Sequence, residues 1–318
     1  MTVGILLVGG FGTRLAPLTR DTPKPMLPIA GIPVTEHQLE MAKKAGISRV
    51  VLATSYLSET FTPYFGDGSR FGMQLSYAVE ESPLGTGGAI RNAAQLLEGD
   101  ETIVVLNGDV LSRHDLSQQI RFHIKNKADV TLHLTHVADA RAYGCVPIDS
   151  NGRVKDFLEK MENPITNTIN AGCYVFNSRV IDAIQSNQVV SIERDVFPKL
   201  VSEGKKVFGY VEDSYWLDIG TPRALLQGSI DYVNGDFKAM NNVEIDSTAL
   251  LTGGTCIGSD SLIGSQVRID SSIIGAAVTI ESGAVLQQCY VAPGTTIPKN
   301  SHFTRSYCAN DLIEPLNL

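Results

Sequence analysis

The residues best equipped for chemistry stand together near the N-terminus, in Gly4 to Gly31, GILLVGGFGTRLAPLTRDTPKPMLPIAG. Gly9, Gly10 and Gly12 can bring backbone N–H groups close to an anion, as in the nests that bind phosphate. Arg14 adds a forked cation and Lys24 a point charge. Ile5-Leu6-Leu7-Val8 is apolar on both faces, which predicts a strand buried in a parallel sheet. A dinucleotide fold or a P-loop NTPase also places glycines after its first strand, but each then enters a helix directly. Here Pro17, Pro23, Pro25 and Pro28 remove donors and disfavour helix in the residues before them, so a long, stiffened loop is expected. No Gly-Lys-Ser/Thr follows the glycines either. Such a loop lays Arg14 and Lys24 along one anionic ligand.

The elements around this loop alternate. IPVTEHQLEMAKKAG, from about Pro33 to Gly46, predicts a helix with proline near its start and glycine after its end. Strands are expected at Arg49 to Ser55 and Met73 to Val79, with a short helix in SETFTPYF between them. A helix from about Gly88 to Leu97 leads into ETIVVLNGD, a buried strand that ends at Asp109. An aspartate there alone suits a turn or helix cap, but with Gly4 to Gly31 beside it the position is well placed for a metal. The pattern predicts an α/β fold: a Rossmann-like, mixed, mostly parallel sheet with helices on both faces and its ligands outside the carboxyl ends of the strands. Further strands are expected at Asp129 to Val137, from Tyr143, and just after Asn170. His114, His123, His133 and His136 sit in no recognised motif, and His133 and His136 should point to opposite faces of one strand.

At 318 residues the chain has room for about two domains. A net charge of −8 argues against a nucleic-acid or anionic-membrane surface, so an anionic ligand must be met by a few local cations. No apolar run approaches the length of a membrane span and no secretory leader is evident, so neither export nor spanning is expected. Five widely spaced cysteines without C-x-x-C read as reduced thiols of a cytoplasmic protein. After the helix expected at Thr221 to Gly235, apolar residues recur every sixth position: Ile245, Leu251, Ile257, Ile263 and Ile269. After a one-residue slip the spacing resumes at Ile274, Ile280 and Leu286, then Val291 and Ile297. This hexapeptide pattern predicts about three coils of a β-helix, whose open end needs a cap, either the catalytic domain or another subunit. Residues 236–318 are therefore expected to form an oligomerisation or docking domain after a catalytic domain at 1–235.

GGFGTRLAPLTRDTPKPMLPI resembles the opening signature of the sugar-1-phosphate nucleotidyltransferases, the pyrophosphorylases that make nucleotide sugars, and likenesses at Glu80 to Gly88 and Trp216 to Pro222 extend the match over nearly the whole chain. The resemblance implies a short C-terminal left-handed parallel β-helix, Arg14 on the outgoing phosphates and Lys24 on the α-phosphate. It places Leu7, Gly9, Gly10, Gly12, Thr13, Pro83, Gly85 and Asn107 around the nucleotide, and implies Mg²⁺ held by Asp109 and Asp218. Gly144, Glu159, Lys160, Asn170 and Asp218 become the sugar-phosphate site, with Lys160 on the incoming phosphate. Ala16 replaces an arginine found in many members.

Glu80 stands where thymidylyl and uridylyl members carry glutamine. A carboxylate accepts from both N1–H and the 2-amino group of guanine but offers nothing to O4 of a pyrimidine. An unpaired buried group costs about 1–3 kcal/mol, so Glu80 favours GTP. The resemblance therefore implies transfer from GTP to mannose 1-phosphate in a homo-oligomer. Alternatives are thymidylyl or uridylyl transfer to glucose 1-phosphate, or a non-catalytic nucleotide-sugar-binding paralogue.

Overall fold

The computed structural model describes residues 2–10, 12–20, 22–54, 61–97, 99 and 102–318. Phe11 and Asp21 of the N-terminal loop lie outside them, as do Ser55, Ser58 to Thr60 and Glu101 of the expected elements. The chain divides into two compact units, Met1–Gly10 with His37–Trp216, and Phe11–Glu36 with Leu217–Leu318.

The first unit is built on a nine-stranded mixed sheet. Thr2–Leu7 lies between Thr102–Asn107 and Arg49–Thr54, and Gln74–Val79 continues beyond Arg49–Thr54, all in parallel. Strands covered on both faces need no alternation, and Val3 to Leu6 are buried without interruption. Thr168–Asn177 pairs antiparallel with both Thr102–Asn107 and Val130–His136, and Val207–Val211 runs parallel to Val130–His136. The short pair Gly144–Cys145 and Leu158–Glu159 completes the sheet. Val3, Ile5, Val105, Leu132, Tyr174, Phe176 and Phe197 belong to one continuous core. His133 is buried within Val130–His136, a strand covered on both faces, and His136 is exposed at its end.

Two expectations shift in detail. The helix expected from Gly88 spans Gly85–Ala94, so Gly85 and Gly87 are helical. Asn170, expected ahead of its strand, lies inside Thr168–Asn177 at a register shift between Asn170 and Tyr174.

In the second unit the proline-rich stretch forms two 3-10 turns, Thr13–Leu15 and Lys24–Met26, and the short antiparallel pair Pro28–Ile29 and Ile32–Pro33. The helix Pro222–Tyr232 follows, its N-cap Thr221 accepting from the Ala224 N–H. Beyond it, parallel pairing stacks every third hexapeptide. Ile245, Ile263, Ile280 and Ile297 form one column. Leu251, Ile269, Leu286 and Phe303 form a second, and Ile257, Ile274, Val291 and Cys308 a third. The three parallel ladders fit a β-helix, and their columns pack into one buried cluster. Glycine recurs after the buried aliphatic residue because the next coil leaves no room: a side chain at Gly275 would start 2.6 Å from the Pro293 nitrogen. At the far end Ser306–Ala309 and Leu312–Pro315 form an antiparallel hairpin, so the last C-terminal strand covers one edge of the stack.

Candidate functional site

Register brings the first unit's chemistry to one rim. Leu7 pairs with both Asn107 and Ala53, and Ala53 with Ala78, so the loops after four parallel strands leave the sheet side by side. Gly9 and Gly10 are exposed, and Gly10 has φ +121° with open space where a side chain would stand. Only glycine adopts that backbone readily, and its N–H groups stay accessible to an anion. Next to it, Gly108 donates to the Leu7 carbonyl at 2.9 Å. A side chain at Gly108 would run into the Leu7 carbonyl and Val8 Cα, so the Asn107-Gly108-Asp109 turn rests directly on the backbone leading to the glycines. Gln38 grips that turn, its Nε2 donating to the carbonyls of Asn107 at 2.6 Å and Val110 at 2.9 Å. Asp109 is half-buried there.

Glu80 leaves the Gln74–Val79 strand with its N–H on the Thr54 carbonyl, while its Oε2 accepts from the Leu84 N–H at 3.2 Å. Burial raises its carboxyl above the usual range, partly offset by that N–H. Pro83 is exposed at the loop's outer edge. The close approach allowed by Gly85, φ +70°, is to protein: a side chain there would start 2.6 Å from the Val190 carbonyl, which also accepts from the Gly87 N–H. Gly85 and Gly87 therefore pack against the Val190 backbone, while Gly85 remains exposed.

The residues expected on the sugar side share this rim. Cys173 pairs with Leu106, so the antiparallel strand carries Gly172 and Asn170 past the end of Thr102–Asn107. Asn170 Nδ2 donates to the Tyr174 hydroxyl at 2.9 Å and its Oδ1 accepts from the Gly172 N–H. Asn107 Nδ2 reaches the same hydroxyl at 3.4 Å, which ties the end of the Thr102–Asn107 strand to the Asn170 bulge. Glu159 pairs with Gly144, whose missing side chain would start 2.9 Å from Glu159 Oε2. Burial raises the Glu159 carboxyl and Lys160 lowers it in part, with Nζ 3.8 Å from Oε1. Lys160 has φ +45°, a left-handed backbone that is costly for a lysine, and its N–H donates to the Tyr143 carbonyl.

The second unit gathers Gly12, Thr13, Arg14, Lys24 and Asp218. Gly12 heads the turn bearing Thr13 and Arg14, and a side chain on it would meet Thr19 Cγ2 at 3.0 Å and Lys24 Cβ at 3.1 Å. The Lys24 stem is thereby pressed against the glycine turn. A side chain at Gly220 would start 3.0 Å from Arg14 Nη2 and 3.1 Å from Asp218 Oδ1, so guanidinium and carboxylate converge over this glycine.

Gln38 and Tyr174 carried no signal in the sequence: one sits within an amphipathic helix and the other within an apolar strand. Of the four histidines weighed in the sequence, His114, His123 and His133 are buried, and His136 pairs with Asp213 at the surface, Nδ1 2.9 Å from Oδ1. His114 and His133 stack with ring centroids 3.8 Å apart. His114 hydrogen-bonds Ser112 and Gln119, and His123 hydrogen-bonds Thr131.

Together, an open glycine turn, a strand-end Asn-Gly-Asp and a Glu-Lys pair on the carboxyl rim of a mostly parallel sheet define an α/β protein equipped to handle phosphate esters. Residues 3–235 match the nucleotidyl transferase family, and the chain belongs to that family. It is 48% identical over 297 residues to a mannose-1-phosphate guanylyltransferase of Mycobacterium tuberculosis, covering 89% of this chain and 82% of the relative. It is 35% identical to mannose-1-phosphate guanylyltransferase 1 of Arabidopsis thaliana, covering 95% and 84%. Among solved structures, HddC from Yersinia pseudotuberculosis, complexed with GMP-PN, superposes with a TM-score of 0.63 at 28% identity over 73% of this chain and all of that one. A putative glucose-1-phosphate thymidylyltransferase from Bacillus anthracis, in complex with a sucrose, gives 0.66 at 23% identity over 72% and 94%, a likeness of fold.

Proposed function

We propose that this chain is an enzyme that transfers a guanylyl group from GTP to mannose 1-phosphate, releasing pyrophosphate. The observation that carries the reading is the shared rim: the Asn107–Asp109 turn lies on the backbone entering the glycine loop, and the Tyr174 hydroxyl joins it to Asn170. Similarity to guanylyltransferases over most of the chain supports the substrate pair.

An oxygen of the sugar phosphate, ionised at neutral pH, attacks the α-phosphorus in line with the departing pyrophosphate. No general base is needed, so the residues position groups and offset charge. Leu7, Gly9, Gly10, Gly12 and Thr13 frame the triphosphate with backbone N–H groups. Arg14 neutralises the leaving phosphates, Lys24 the α-phosphate and Lys160 the incoming phosphate. Glu80, beside Pro83 and Gly85, accepts from guanine with the carboxylate edge that Leu84 does not occupy. Gly144, Glu159 and Asn170 receive the sugar hydroxyls.

Among the described residues no group of three or more His, Cys, Asp or Glu forms a ready-made metal cage. Two carboxylates suit Mg²⁺, which keeps waters and substrate phosphates in its shell. Asp109 and Asp218 would hold it, and when bound it neutralises phosphate charge as pyrophosphate departs.

The five cysteines are free and buried, which supports a reducing, cytoplasmic setting, and no helix among the described residues is long and apolar enough to cross a membrane. Residues 1–235 form the catalytic domain, and 236–318 a left-handed parallel β-helix through which copies assemble. Pyrophosphate release measured across four NTPs and several hexose 1-phosphates tests the reading. Turnover is expected with GTP and mannose 1-phosphate; preference for another pair would replace the substrates, and none at all would leave a binding protein.

A further inference from the structure

Within the second unit the N-terminal loop is held at several points by the C-terminal half of the chain. The Ala30 N–H donates to Ser229 Oγ at 3.0 Å in a buried bond, and Met240 fills the space over Gly31. A third anchor lies far along the chain. The hairpin Ser306–Ala309 and Leu312–Pro315 turns through Asn310 and Asp311. Asn310 locks that turn to the coil beneath, with Oδ1 accepting from the Thr296 N–H at 2.9 Å and Nδ2 donating to the Gly294 carbonyl at 3.0 Å. Asp311 is thus presented from a fixed base. Arg20 meets it fork to fork: Nη1 lies 3.3 Å from Oδ2 and Nη2 3.3 Å from Oδ1.

Arg20 leads back to the phosphate-binding turn in one step. Its N–H donates to the Pro17 carbonyl, and its neighbour Thr19 donates to the Gly12 carbonyl at 3.1 Å while its methyl packs on Gly12. Gly12 heads the turn that carries Arg14, and the Lys24 stem lies beside Thr19 against the same glycine. We infer that Asp311, through Arg20, is a positioning residue for nucleotide binding: the tip of the C-terminal hairpin holds the Gly12–Lys24 loop in the geometry that receives the triphosphate. The inference rests on the proposed nucleotidyl transfer.

Both partners are substantially exposed, 41% for Arg20 and 71% for Asp311, so the pair contributes little to global stability. Its influence belongs in the alignment of a loop whose cations must be in place before the nucleotide arrives. A salt-sensitive KM effect is therefore expected, with little change in melting temperature.

The test uses the full-length protein as wild type, Asp311→Asn, Asp311→Glu, Arg20→Gln, the double variant Arg20→Gln/Asp311→Asn and the reversed pair Arg20→Asp/Asp311→Arg. Initial rates of pyrophosphate release are measured against GTP at low and high KCl, alongside melting temperatures. Asp311→Asn and Arg20→Gln should each raise KM for GTP about two- to fivefold at low salt, with kcat and melting temperature held. The double variant should be no worse than either single one, the Glu variant and the reversed pair should recover most of the loss, and the effect should fade at high salt. A wild-type KM in Asp311→Asn, additive effects in the double variant, or a loss confined to melting temperature would overturn the inference. If wild type prefers another NTP, the proposed substrate fails instead, and the same series is read with that nucleotide.

Discussion

Asp109 and Glu80 carry different kinds of charge work, and single substitutions separate them. Asp109→Asn keeps the shape of the turn gripped by Gln38 but removes the carboxylate proposed to hold Mg²⁺, so kcat should fall about a hundredfold or more at millimolar Mg²⁺ with the fold intact. Steady-state rates alongside circular dichroism check this, and near-normal kcat would remove Asp109 from the metal site. Glu80→Gln keeps an oxygen that can accept from the Leu84 N–H while exchanging one acceptor for a donor. Preference should move about ten- to a hundredfold from GTP toward UTP or dTTP, read as a ratio of kcat/KM values. An unmoved ratio would mean that Glu80 only shapes its loop. Asp109 stood out in the sequence as the end of an apolar run at a turn, and Glu80 through the family likeness of its loop; Gln38, which holds Asp109's turn through two carbonyls, did not stand out.

At the scale of elements, the join between the two strand ends is the sensitive part. Tyr174 is fully buried, with its hydroxyl accepting from Asn170 and approached by Asn107. Tyr174→Phe leaves amide N–H groups without that acceptor, which should cost about 1–3 kcal/mol of stability. Because Asn170 loses its orientation, KM for the sugar phosphate should rise more than KM for GTP. Equal changes in both, measured by varying each substrate at saturation of the other, would show that the hydroxyl does not discriminate the two sides. The helix Gly85–Ala94 teaches a similar lesson. Its glycines Gly85 and Gly87 pack on Val190, a contact between segments a hundred residues apart that local spacing cannot reveal.

For the whole molecule, buried histidines tie stability to pH. Burial lowers His123 to about 4, only partly offset by Asp129, and holds His114 and His133 below the usual value. A histidine whose folded pKa is depressed contributes stability above its unfolded value near 6.5, and that contribution is lost as pH falls toward the folded pKa. The melting temperature should therefore decline between about pH 6.5 and 4, with His123→Asn flattening part of the slope; a flat wild-type profile would mean that these rings charge in place. Truncation after Asp236 is the other test at this scale. It removes Met240 from Gly31 and Asp311 from Arg20, so it should impair nucleotide binding as well as alter oligomer mass, seen as a raised KM for GTP beside a changed sedimentation profile. A truncated chain with wild-type KM would show that the loop stands without its support.

The sequence by itself determined whatever local covalent chemistry dictates. Prolines forbade a helix after the glycines, unbroken apolar runs demanded strands covered on both faces, and a six-residue period set the stacking of Ile245, Ile263, Ile280 and Ile297. Tertiary structure alone decided which distant groups share a surface. The Gly108 turn on Leu7, Tyr174 between two asparagines, and Arg20 on Asp311 each join residues whose proximity follows from sheet register or coil stacking. Those contacts depend on where whole elements come to rest, which no short stretch of residues encodes.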